Sequence, residues 1–179
     1  MPWDGSLRIC GKSDEEIAKI VISRFKSDDT KVSTKFTIGG LYTTKKIVLC
    51  SKEALEALKS DGSKAICSDG LISSKLYRLE KLHITREHIV PIEALYQNFK
   101  KLYEAGKLDV KTLIDVWFPR LKMALITDEQ NKMLNRAGFK KKMPEGWWES
   151  KNLDPLDRYR EAGLDDSIWV EWDEEEAEE

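Results

Sequence analysis

Residues 82–91, LHITREHIVP, and residues 123–138, MALITDEQNKMLNRAG, decide how this chain is read. From about Leu82 the first stretch reads as a strand, and a helical pattern takes over after Pro91. In the second, Met123–Ile126 is a short apolar run of the length of a buried strand. Thr127 then fits an N-cap, and Gln130 three residues later completes a capping box. Met133, Leu134 and Ala137 fall where they can face a core, and Gly138 closes the helix. Two helical patterns separate the strands. IEALYQNFKKLYEAGK stops near Gly106, and DVKTLIDVWF is broken by Pro119.

Upstream, Ser13 caps an amphipathic pattern in which Ile17, Ile20, Val21 and Phe25 recur at helical spacing. Residues 34–50 turn to β-type composition, with a Gly39-Gly40 turn between STKFTI and KKIVLC. Ser51 caps a short helix, KEALEALKS, and Asp61-Gly62 and Asp69-Gly70 mark turns. The expectation is an α+β fold with no internal repeat. It divides into a mixed α/β region over 1–80, a central region over 81–160 and an acidic tail over 161–179.

The chain has 179 residues, 41% of them apolar and 35% charged, enough for one medium-sized core under an ionic surface. No stretch approaches the roughly 20 apolar residues of a membrane span. Three cysteines, Cys10, Cys50 and Cys67, are too few and too scattered for a disulfide scaffold or a cysteine-rich zinc site. The opening MPWDGSLRICGKSDEE lacks the pattern of a secretory signal, so a reducing cytoplasm is the expected compartment.

Charge is unevenly spread. Residues 161–179 carry ten acids and no Lys or Arg, whereas residues 1–160 carry 30 basic against 22 acidic side chains, a net of +8. A basic body suits a phosphate backbone, because neutralising phosphates releases counterions. The acidic end reads as a solvated tail or, alternatively, as a competitor for the basic face. Trp169 and Trp172 suggest that the part before residue 173 docks.

Glu87-His88 at a strand end, followed by Ile-Val-Pro, together with a later strand running into Thr127-x-x-x-Asn131-x-x-x-Asn135, resembles the HNH, or ββα-metal, nuclease family. The resemblance covers about residues 82–140, with a helical insertion between the two strands. More loosely, MPEGWW…LDRYREAGL is similar to extensions of phage and bacterial proteins with such domains. It implies a ββα-metal core and a metal-dependent endonuclease cutting DNA, or alternatively RNA. It also implies His88 as general base and Glu87, Asn131 and Asn135 around the metal. The family's middle Asn has no counterpart; Lys122 lies near its place, and Asn98 falls in a helix.

The residue types suit that chemistry. A histidine with a pKa of about 6.5 can take a proton from water at neutral pH. Glu87 offers a carboxylate oxygen and Asn131 an amide oxygen, hard donors that suit Mg²⁺ or Mn²⁺. Asn131 and Asn135, four apart, share a helix face. Arg86, Lys132, Arg136, Lys140, Lys141 and Lys142 lie on or beside these elements and are the expected nucleic-acid contacts. Trp147 and Trp148 are read as pinning the tail to the core rather than stacking on bases. Cutting both strands would call for a homodimer, since one site cuts one strand at a time. His83 is read as structural. The competing expectation is a non-catalytic scaffold that binds nucleic acid or a partner protein, with His88 an ordinary strand-end histidine and Glu87 in a surface ion pair with Arg86 or Lys81.

Overall fold

The computed structural model describes residues 12–27, 47–61 and 79–171. They fall into two units interleaved along the chain, one drawn from 1–45 and 90–121, the other from 46–89 and 122–179. Helix α1 (Asp14–Lys26) belongs to the first unit, and strand β1 (Ile47–Ser51) and helix α2 (Lys52–Ser60) to the second. Strand β2 (Ile84–His88) follows in the second unit, and helix α3 (Ile92–Glu104) in the first. Strand β3 (Met123–Thr127), helix α4 (Asp128–Arg136), the short helix α5 (Asp157–Glu161) and strand β4 (Trp169–Glu171) also belong to the second.

The described residues of the first unit are mainly helical. Ser13 and Glu16 form the capping box that starts α1, and Ile17, Ala18 and Val21 are buried. The Phe25 ring stacks on Tyr96 and Tyr103 of α3, with centroids 5.8 Å away in each case. Asp109 accepts the Thr112 amide at 2.7 Å and starts the next helical segment. That segment passes from α winding at Val110–Thr112 to π winding at Leu113–Trp117, then to a 3₁₀ turn at Phe118–Arg120. The loosening precedes Pro119, whose ring cannot follow an α-helical carbonyl.

The second unit is built on a four-stranded sheet in the order β2-β3-β1-β4. Strand β3 is central, and Met123, Ala124, Leu125 and Ile126 are all buried, which is why an unbroken apolar run serves here. It pairs antiparallel with β2, from Ile84 opposite Thr127 to His88 opposite Met123. It pairs parallel with β1, with a register shift between Ile47 and Leu49. Ser51 accepts the Ala54 amide and caps α2, and Thr127 and Gln130 form the capping box of α4.

Two boundaries of the sequence division do not match this architecture. Strand β1 lies within 1–80 yet joins the sheet of β2 and β3. Strand β4 lies within 161–179 yet pairs antiparallel with β1. Strand β1 satisfies the backbone hydrogen bonds of the β3 edge away from β2, and β4 does the same for the outer edge of β1, pairings over distance that local sequence does not name. The expected strand at 34–38, the Gly39-Gly40 and Asp69-Gly70 turns, Cys10, Cys67, Trp172 and the final acidic run lie outside the described residues.

Candidate functional site around strand β2

Successive side chains of a strand point to opposite faces, so Thr85 and Glu87 share one face of β2, and Ile84, Arg86 and His88 share the other. The Thr85–Glu87 face is the one packed beneath α4 and α5. Ile89, Ala124 and Ile126 cluster there with Leu134, Phe139, Tyr159 and Leu164. The neighbours Glu87 and His88 are thus directed apart by the pleat itself.

Glu87 faces inward and meets Arg158, a fully buried guanidinium from α5, in an ion pair. The same guanidinium donates to the His88 carbonyl at 2.6 Å, to the Phe139 carbonyl at 2.8 Å and to the Tyr159 hydroxyl at 3.1 Å. Burial pushes the Tyr159 phenol up to about 12, so it stays protonated. A buried cation with three neutral acceptors and one carboxylate keeps its charge; without the carboxylate its desolvation would go uncompensated.

His88 is half-buried at the end of the edge strand, opposite Met123. Burial, then Arg86, then Arg158, lower its imidazole from 6.5 to about 4. It is neutral at pH 7. Asn131 turns elsewhere: its amide nitrogen lies 3.5 Å from the Thr85 hydroxyl, a long contact at the other end of β2. The Thr85 hydroxyl donates to Asp128 Oδ1 at 2.8 Å, and His83 Nδ1 lies 3.4 Å from Asp128 Oδ2. Asn135, one turn on, is exposed.

The expected ligands can be tested against this arrangement. Donors around one Mg²⁺ or Mn²⁺ ion lie roughly 3 Å apart when bonds are about 2.1 Å. Asn131 contacts Thr85, Asn135 is exposed, and the Glu87 carboxylate is committed to Arg158. With Glu87 so engaged, this arrangement does not bring Glu87, Asn131 and Asn135 together as one ligand set. Among the described residues, no group of three His, Cys, Asp or Glu side chains could hold a metal ion.

The basic residues separate into two groups. Arg86 is half-buried beside His88, and Lys132 pairs with Glu129 at 2.5 Å. Arg136, Lys140, Lys141 and Lys142 are exposed and form no ion pair among the described residues. Trp147 is buried with its indole donating to the Asp154 carbonyl at 2.6 Å, and packs edge-on against Trp148. It holds the segment leading to α5, which Arg160 braces further through Asp154, Asp157 and Asp166.

Comparison of the chain with family models, curated proteins and solved structures found no match. Sequence reasoning missed Arg158, although it lies in the quoted LDRYREAGL. The available signal was the pattern of β2, in which Glu87 shares parity with the buried Ile89 and so needs a cation.

Two outcomes follow. Arg158→Met alone should cost about 3 kcal/mol or more in urea unfolding, because Glu87 is left without its counter-charge. Adding Glu87→Leu should recover most of that loss; additive losses would show that the two groups do not depend on each other. Because the folded pKa of His88 lies below its unfolded value, the unfolded chain binds more protons between pH 6.5 and 4. Its contribution, roughly 3 kcal/mol, is full above pH 6.5 and lost as pH falls towards 4. In His88→Gln that part of the acid dependence should vanish from unfolding curves measured across this window.

Proposed function

We propose that this chain is an HNH-type endonuclease that hydrolyses phosphodiester bonds in DNA, with His88 as the proton acceptor. The observation that carries this reading is a neutral imidazole beside a guanidinium, His88 with Arg86, at the end of a strand whose antiparallel partner runs directly into a capped helix. A neutral imidazole can accept a proton from water, and a guanidinium attracts a phosphodiester. A bound phosphate would offset the charge of Arg86, the second cause of the lowering after burial, and so raise the His88 pKa above about 4. The exposed Arg136, Lys140, Lys141 and Lys142 suit the flanking backbone, each contact adding to the salt dependence of binding. A divalent ion, Mg²⁺ or Mn²⁺ in this reading, supplies charge stabilisation at the leaving oxygen when bound. Its ligands are not Glu87, Asn131 and Asn135 acting together.

One observation favours a second reading, a scaffold of the same build that binds nucleic acid without cutting it: the carboxylate next to the histidine is consumed by Arg158. A plasmid-nicking assay with Mg²⁺, Mn²⁺ or EDTA separates the two. Hydrolysis predicts metal-dependent nicking that drops at least about 100-fold in His88→Ala with an unchanged circular-dichroism spectrum. Undiminished nicking by His88→Ala removes His88 from the mechanism. Gel shift without nicking in any metal, by the unaltered protein, selects the scaffold.

A further inference from the structure

The end of β2 away from His88 carries donors that the hydrolase reading leaves unused. Three residues of different type meet there from two elements: His83 just before β2, Thr85 within it and Asp128 at the start of α4. We infer that His83 and Asp128 are the protein ligands of a divalent cation of the Zn²⁺ class, with the amide oxygen of Asn131, a residue held at Thr85, as a third donor. The inference goes beyond the hydrolase reading, because the ion would bind whether or not the chain cuts DNA.

The separation of the two ligating atoms is the first argument. His83 Nδ1 and Asp128 Oδ2 stand 3.4 Å apart. That is longer than the roughly 2.7–3.2 Å of a good N–H···O hydrogen bond. Two donors about 2.05 Å from a tetrahedral ion are separated by roughly 3.3 Å, whereas octahedral ligands with bonds of about 2.1 Å sit roughly 3.0 Å apart. A separation of this size lets one ion bridge both atoms.

Preorganisation is the second. The Asp128 amide donates to the His83 carbonyl at 2.8 Å, so two residues 45 positions apart are fixed side by side through the backbone. The Thr85 hydroxyl holds Asp128 Oδ1 at 2.8 Å and leaves Oδ2 towards the imidazole, an outer-shell contact that orients a ligating carboxylate. Asn131 uses its nitrogen on Thr85, and its oxygen has no hydrogen-bond donor among the described residues. The His83 side chain is 83% exposed and that of Asp128 43%, so water or substrate can complete the coordination. One imidazole with oxygen donors suits Zn²⁺, Co²⁺ or Mn²⁺ better than Mg²⁺.

The test uses the full chain, stripped with EDTA and titrated with Co²⁺ by visible absorption and with Zn²⁺ by calorimetry. His83→Asn removes the imidazole while tolerating the positive φ of 55° at that position. Asp128→Asn removes the carboxylate charge and keeps an oxygen for Thr85. One equivalent of Co²⁺ with tetrahedral absorption, lost in both variants and kept in Glu87→Gln, supports the inference. Absence of saturable binding overturns it. So does binding that survives both variants or disappears only in Glu87→Gln, and so does a thiolate charge-transfer band, which assigns the ion to cysteine. A bound ion without plasmid nicking defeats only the hydrolase reading, and nicking without an ion lost in His83→Asn defeats only this one.

Discussion

A guanidinium with no exposure to water, that of Arg158, organises the sheet-based unit. Removing such a cation from solvent costs several kcal/mol, and the cost is offset only where the geometry of its partners is good. Here the partners come from three places: a carboxylate and a carbonyl of β2, a carbonyl at Phe139 just after α4, and the neighbouring phenol of Tyr159. The contact ties α5 to the edge strand across about 70 residues of chain. It also decides which way Glu87 faces, and with that what Glu87 is free to do.

The pleat of β2 then divides the chemistry of five residues among three environments. Glu87 points into the layer beneath α4 and α5 as the counter-ion of Arg158. His88 points to the opposite face beside Arg86, where burial and two cations keep it neutral. At the far end, Thr85 and His83 meet Asp128 and Asn131. Residues adjacent in sequence are separated, and residues some 45 positions apart are joined. The proton acceptor proposed at His88 and the cation proposed at His83 and Asp128 therefore fall at opposite ends of β2.

Much of the local structure was legible because its signals are local. Ser13, Ser51, and Thr127 with Gln130 are caps read within four residues, and each starts the helix expected of it. Strand β3 was legible as an apolar run of the right length. The docking of Trp169 was also legible: its ring packs edge-on against Tyr159 at 5.0 Å. What was not legible is pairing over distance. Nothing near Ile47–Ser51 says that it lies parallel to β3, and nothing near Arg158 names Glu87 as its partner. The alternation of a strand, by contrast, is legible from sequence and already places the neighbours Glu87 and His88 on opposite faces.

The most direct test of this account is a crystal of the full chain soaked in Zn²⁺ or Mn²⁺, with the ion located by anomalous scattering. The expected result is a peak between the His83 ring and the Asp128 carboxylate, with Glu87 still bound to Arg158. A peak on the Glu87 carboxylate, with the Arg158 guanidinium displaced from it, would contradict the account at its centre.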